Sequence, residues 1–141
     1  MNKLFRLIDA NFNRSGEGLR VAEDIARFIL NDKELTRSFK SLRHALGSER
    51  KKIDVKRFPL LKSRSVKRDV GKKSASGEKN RENIADVFRA NTERVKEALR
   101  VLEETTKLFN KKMSQRFKRM RFKLYELEKK ARFKLDALLH N

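Results

Sequence analysis

The sequence predicts an all-α fold, a pseudo-symmetric bundle of two helical hairpins whose four long helices are joined by a long functional loop. Three observations lead there. Apolar residues recur at helical spacing through most of the 141 residues. The composition, 40% charged and rich in Lys, Arg, Glu and Leu with one Pro and five Gly, favours long solvated helices. The chain also repeats itself. Ala10, Asn11, Arg14, Glu17, Leu19, Arg20, Val21 and Glu23 return eighty residues on as Ala90, Asn91, Arg94, Glu97, Leu99, Arg100, Val101 and Glu103, and Glu104 answers Asp24. Core packing alone would repeat apolar residues; here polar ones repeat as well.

The first helix is expected from Lys3 to about Asn31, with Leu4, Leu7, Ile8, Phe12, Leu19, Ala22, Ile25, Ala26 and Ile29 at helical spacing and Gly16 and Gly18 weakening it locally. Asn31-Asp32 reads as a stop followed by a fresh N-cap. A second helix, about Lys33 to Lys52, carries Leu35, Phe39, Leu42 and Leu46 on one stripe and closes the first hairpin, residues 1–52. Residues 53–77 break the pattern. They hold the only proline, Pro59, and a Ser-, Gly-, Arg- and Lys-rich run, and a connection this long inside a compact domain is usually functional or disordered. The second hairpin, residues 78–141, contains a helix from about Glu78 to Asn110, with Leu102 and Leu108 on its stripe. A last helix follows from about Lys111 to Leu139, with Phe117, Leu124 and Leu138 on its own. Leu35, Phe39, Lys40, Leu42, Arg43 and Leu46 match Met113, Phe117, Lys118, Met120, Arg121 and Leu124 at an offset of 78, so the repeat unit is a whole hairpin. One domain, residues 1–141, is expected.

Composition narrows the function classes. With no cysteine there is no disulfide, thiolate metal site or Cys nucleophile. No apolar run resembles a signal peptide or membrane span, so a soluble cytoplasmic protein is expected. The formal charge of +19 suits nucleic acid, an anionic membrane or a polyanionic small molecule such as a nucleotide, and equally a heavily solvated surface. Nucleic acid ranks last, because the ten Phe mostly fall on or near the apolar stripes rather than among exposed cations.

A helical projection puts Asn11 in the middle of the first helix's apolar arc, with Arg14 and Glu17 at its edge; Asn91, Arg94 and Glu97 repeat the arrangement. A buried amide is costly without specific partners. The two Asn either fix helix register or line a polar pocket between the hairpins. Arg14, Glu17, Arg20 and Asp24, like Arg94, Glu97, Arg100 and Glu104, form ladders three or four apart, usually surface salt bridges but also a way to preset guanidinium groups for phosphate. Of the two histidines, His140 is terminal and His44 is either a pocket donor or a helix-surface residue, and Tyr125 caps the core. Gly71-Lys72-Lys73-Ser74 has only the end of a phosphate-loop motif and follows no strand.

Asp9-Ala10-Asn11-Phe12-Asn13-Arg14, Glu17-Gly18-Leu19-Arg20-Val21, Glu23-Asp24 and Arg27-Phe28 resemble the opening signature of a short all-helical hydroxymethylpyrimidine phosphate kinase family. Leu42-Arg43-His44, Ser63-Arg64, Asp69-Val70-Gly71 and Ala90-Asn91 through Glu104 extend the resemblance over nearly the whole chain. Members occur alone or fused N-terminal to thiamine phosphate synthase, and are often labelled thiamine-phosphate pyrophosphorylase. The resemblance implies ATP- and Mg²⁺-dependent phosphorylation of 4-amino-5-hydroxymethyl-2-methylpyrimidine phosphate to its diphosphate. The synthase activity itself belongs to the fused barrel, whose alternating strand–helix pattern is lacking here.

On that reading Asp69 and Arg64 are the expected catalytic residues, and Asp69 and Asp24 the expected metal ligands. Asn11, Arg14, Glu17, Arg20, Arg43, His44, Gly71, Asn91, Arg94, Glu97 and Arg100 would bind substrate and phosphate. Ser65 stands where the family carries an acidic residue. The expected partners are the pyrimidine phosphate and ATP, a thiamine phosphate synthase, and a second copy of the chain as a homodimer. No membrane partner is expected. A non-catalytic module beside the synthase is the alternative.

Overall fold

A computed structural model of the protein describes residues 2–54, 59–67, 69–71 and 81–140. Every element in them is helical: α1 (Asn2–Asp24), a π-helical turn (Ile25–Ile29), α2 (Lys33–Asp54), α3 (Pro59–Ser63), α4 (Ile84–Thr106) and α5 (Lys111–Leu139). The expected bundle is present, with one short helix more than the four long ones. That extra helix, α3, lies within the expected loop. Pro59 opens it, where a missing N–H costs nothing, and fully buried Leu60 packs it onto α1. Much of the expected connection, including residues 72–77, and Glu78 itself lie outside the described residues. The expected third helix from Glu78 to Asn110 is corrected to Ile84–Thr106, because Asn83 caps its start and Asn110 caps the next helix.

The expected first helix to Asn31 is corrected: the α-helix ends at Asp24 and widens into the π turn, closed by a hydrogen bond from Leu30 N–H to the Ile25 carbonyl at 3.0 Å. Asn31 then takes φ 51°, which an Asn tolerates, and Asp32 N–H reaches back to the Ala26 carbonyl at 2.9 Å. Asp32 caps α2 by accepting from Leu35 N–H at 2.9 Å. In the second half Asn110 caps α5 in the same way, accepting from Met113 N–H at 3.0 Å. Seven residues separate Asp24 from Asp32 and five separate Glu104 from Asn110. The two extra residues fall where the helix widens, and a π turn is how a helix absorbs an insertion.

The duplication extends to buried ion pairs. Arg43 Nε donates to Glu23 Oε1 at 2.8 Å within the first hairpin, and Arg121 Nε and Nη2 donate to Glu103 Oε1 at 3.0 and 2.9 Å within the second. Both carboxylates are buried. Burial pushes the Arg121 pKa down, but hydrogen bonds with Tyr125 and Glu103 outweigh it and leave it raised. Two edge-to-face aromatic pairs join the hairpins, Phe12 with Phe117 at 5.8 Å and Phe39 with Phe88 at 6.1 Å, each a favourable ring geometry worth about 1 kcal/mol beyond its burial. Glu49 on α2 adds a charged tie to Arg116 on α5, its Oε2 accepting from Nη2 at 3.1 Å.

Several stripe assignments are corrected. Leu7, Leu108 and Leu138 are exposed, because each lies at the margin of its arc or near a helix end. Phe28, Phe109, Phe122 and Phe133 are exposed too, so among the described residues Phe12, Phe39, Phe88 and Phe117 form the buried aromatic core. Tyr125 is half-exposed and accepts from Arg121 Nη1 at 3.0 Å, sealing a buried charge rather than the apolar core.

α1 packs most extensively on α4. At their crossing a Cβ on Gly18 would lie 2.6 Å from Val95 Cγ2 and 2.8 Å from the Asn91 carbonyl oxygen, so only glycine permits this approach. Gly18→Ala is expected to destabilise by about 1–3 kcal/mol, as overpacking does. Gly16→Ala, with nothing within 4 Å, is expected to stabilise by about 0.5–1 kcal/mol. Urea unfolding of the two variants checks both signs.

Burial pushes the Glu49 carboxyl up, but hydrogen bonds from Arg116 and Lys52 outweigh it and hold its pKa below the ordinary value of 4.5. Its contribution to stability is therefore complete above that unfolded value and is lost as pH falls through the lower folded one. The stability difference between wild type and Glu49→Gln should shrink towards low pH, measured by thermal unfolding across a pH series.

Candidate functional site

Beside the close approach at Gly18, α1 and α4 line a cleft of about 990 Å³. Asn11, Arg14 and Glu17 line it from α1, and Asn91, Arg94 and Glu97 line it from α4. Gly71 and Arg81 approach from the connecting segment. The two halves of the repeat thus present the same three side chains to one space. Asn11 Nδ2 donates to the Leu7 carbonyl at 2.8 Å and Asn91 Nδ2 donates to the Val87 carbonyl at 2.8 Å. Each amide is anchored on its own helix, which leaves its Oδ1 as an acceptor.

The charged ladders divide in two. Their outer rungs are surface ion pairs: Arg20 with Asp24 at 3.7 Å and Arg100 with Glu104 at 3.1 Å, both well exposed. The inner rungs, Arg14 with Glu17 and Arg94 with Glu97, make no ion pair among the described residues although helix spacing would allow one. Two guanidinium groups and two carboxylates therefore line the cleft uncommitted. Such a set has the chemistry to hold an anion on the arginines and a hard cation on the carboxylate oxygens.

A second cleft of about 450 Å³ adjoins the first through Arg14. α1 supplies Lys3, Arg6 and Asp9 to it, and the segment after α3 supplies Arg64 and Asp69. Asp9 is buried and fully engaged: Arg50 Nη2 donates to its Oδ1 at 2.8 Å, and Arg64 donates through Nε to Oδ2 and through Nη2 to Oδ1, both at 2.9 Å. That fork raises the Arg64 pKa, chiefly through the hydrogen bonds to Asp9. It also clamps the 59–71 segment against α1. Asp69 Oδ1 accepts from Gly71 N–H at 2.9 Å, a local turn that leaves Oδ2 as an oxygen donor at the cleft's edge.

Of the remaining expected site residues, all but Arg64 stand apart from these clefts. Arg43 is held by buried Glu23, and His44 is exposed on α2. Arg20, Asp24 and Arg100 lie on the outer helix faces in the surface pairs described above. Arg64 lines the second cleft but spends its fork on Asp9. Among the described residues no three His, Cys, Asp or Glu gather as a metal cage. Glu17, Glu97 and Asp69 fit Mg²⁺ instead as isolated oxygen ligands of the kind that share the ion with substrate phosphates. Sequence reasoning missed Lys3, Arg6 and the acceptor role of Asp9. The Asp9–Arg50–Arg64 cluster joins residues up to 55 positions apart, which no local spacing reveals.

Because Arg14 and Arg94 have no ion partner among the described residues, Arg14→Ala and Arg94→Ala are expected to change stability by less than about 0.5 kcal/mol. Asp9→Asn, which weakens three charged hydrogen bonds, should cost about 2 kcal/mol or more. Denaturant midpoints of the three variants distinguish ligand-directed arginines from structural ones.

Comparison with known proteins places the chain. Residues 6–130 match the ThiD2 family. The chain is 42% identical over 90 residues to thiamine-phosphate synthase of Rhodopirellula baltica, which covers 63% of this chain and 24% of that protein. It is 48% identical over 48 residues to thiamine-phosphate synthase of Prochlorococcus marinus, covering 34% of this chain and 14% of that one. Thiamine-phosphate synthase of Synechocystis is 50% identical over 42 residues, 30% of this chain and 12% of the relative. The chain thus spans a quarter or less of the length of these relatives. No solved structure matches it significantly. Among the described residues no helix is long and apolar enough to cross a membrane.

Proposed function

The chain belongs to the ThiD2 family, and on that premise we propose that it is a kinase of thiamine biosynthesis. It would transfer a phosphoryl group from ATP to 4-amino-5-hydroxymethyl-2-methylpyrimidine phosphate, giving the diphosphate. The observation that carries this reading is the two-sided cleft, which Arg14 and Arg94 line from pseudo-equivalent positions with no ion pair among the described residues.

The chemistry suits these side chains. A phosphate monoester is already largely dianionic near neutral pH, so its oxygen attacks without a strong general base. The protein's task is to neutralise charge and align acceptor and donor in line. Arg14 and Arg94 offer planar forks that bind phosphate oxygens in pairs and hold them in fixed orientation. Asn11 and Asn91, pinned by their own helices, offer acceptors to the aminopyrimidine or donors to phosphate. Mg²⁺, when bound, would screen phosphate charge; Asp69 in the second cleft, or Glu17 or Glu97 in the first, would each offer it a single carboxylate. Arg64 acts at one remove, by keeping the 59–71 segment in place through Asp9.

A second reading, a non-catalytic module accompanying a thiamine-phosphate synthase, draws on the names of the relatives and the small share of their length that this chain covers. The two readings part in one assay. Purified chain with ATP, Mg²⁺ and the pyrimidine monophosphate should yield ADP and the diphosphate. Arg14→Ala and Arg94→Ala should each lower kcat/KM by about 10²-fold or more, the scale for removing a donor aimed at transition-state charge. Folded protein that binds the monophosphate without forming ADP would favour the non-catalytic module.

A further inference from the structure

The kinase reading leaves open which half of the cleft takes the nucleotide, and the places where the duplication fails answer it. On the α1–α4 cleft the two halves are equivalent, with Asn11, Arg14 and Glu17 facing Asn91, Arg94 and Glu97. One and two turns towards the helix starts they are not. Lys3 and Arg6 on α1 correspond to Asn83 and Asp86 at the start of α4. Asn83 there caps the helix, accepting from Asp86 N–H at 2.9 Å, and Asp86 pairs with Arg89. Lys3 and Arg6 instead line the second cleft, with no ion pair among the described residues. Asp9, the acceptor for Arg50 and Arg64, corresponds to Arg89, so among the described residues the clamp that holds Arg64 exists on the α1 side alone. Among the described residues, excess cationic charge and a segment bearing an oxygen donor, Asp69, are thus found together on the α1 side.

We infer that this asymmetry sorts the two substrates. The triphosphate of a nucleoside triphosphate lies along the second cleft, against Lys3, Arg6 and Arg14, with Asp69 at its edge. The acceptor monophosphate lies in the α1–α4 cleft against Arg94. Arg14 is the one guanidinium lining both spaces, and it stands where the phosphoryl group passes between them. In the transfer, the bond between the terminal phosphorus and the oxygen bridging it to the next phosphate breaks, and its electron pair leaves on the nucleoside diphosphate. An oxygen of the acceptor phosphate forms the new P–O bond; any proton it carried goes to solvent. A triphosphate carries about twice the charge of a monophosphate, which is why the cation-rich half suits the donor and the balanced half the acceptor.

This placement rests on the kinase reading, and the test separates the two. Binding of a non-hydrolysable ATP analogue with Mg²⁺, and separately of the pyrimidine monophosphate, is measured by calorimetry on the full chain. Lys3→Glu/Arg6→Glu should weaken the analogue at least tenfold and leave the monophosphate within twofold. Arg94→Ala should do the reverse, and Arg6→Ala alone should weaken the analogue about threefold if the double variant folds poorly by circular dichroism. Arg132→Glu, an exposed charge change on α5, controls for the overall basicity of the chain. The inference is overturned if the wild-type chain binds no analogue, if Arg132→Glu weakens it as much, or if Lys3→Glu/Arg6→Glu weakens both ligands alike. Selective binding without turnover would contradict the kinase reading and leave the placement of the two ligands standing.

Discussion

The contact between Gly18 and the Asn91 backbone is the constraint on which the rest of the structure depends. A side chain at position 18 would meet Val95 and the Asn91 carbonyl, so the two repeats can close on each other only through a residue without Cβ. That approach sets the spacing between α1 and α4, and with it the width of the cleft lined by the six repeated polar side chains. Its counterpart in the second half is Ala98, buried on the same interface. The crossing is therefore nearly, though not fully, symmetric.

Charge is sorted around this crossing by burial. Four buried carboxylates, Asp9, Glu23, Glu49 and Glu103, engage Arg50, Arg64, Arg43, Arg116 and Arg121. Such pairs are costly to break singly, because the partner is left charged in a poor solvent, and so they fix helix register more than they add net stability. The arginines they engage are unavailable to a ligand. Arg14 and Arg94, which make no ion pair among the described residues, sit at the cleft.

Much of this was legible in the sequence because duplication is a long-range signal carried by local residues. The offset of 80 on the first helix of each pair and 78 on the second gave two hairpins, and α5 runs from Lys111 to Leu139 as its pattern indicates. The 3.6-residue projection put Asn11, Arg14 and Glu17 on one edge, and that edge lines the cleft. Spacing could not separate the paired rung Arg20–Asp24 from the unpaired Arg14 and Glu17, since both fit the same rule and only the facing helix distinguishes them. Nor could it place Arg43 and Arg64, whose acceptors lie 20 and 55 residues away. Phe28 and Phe133 have the hydrophobicity of core residues but no facing element, and stay exposed.

The six repeated side chains make one candidate anion site with two arginine walls, while Arg43, Arg64 and Arg121 are held by buried carboxylates. The most direct measurement is a titration of the chain with inorganic pyrophosphate, following the Nε–Hε resonances of its arginines by NMR. The account predicts that Arg14 and Arg94 shift together and saturate at one affinity, while Arg43, Arg64 and Arg121 stay close to their starting positions. Shifts centred on Arg43 or Arg121, or a uniform drift of exposed arginines without saturation, would contradict it.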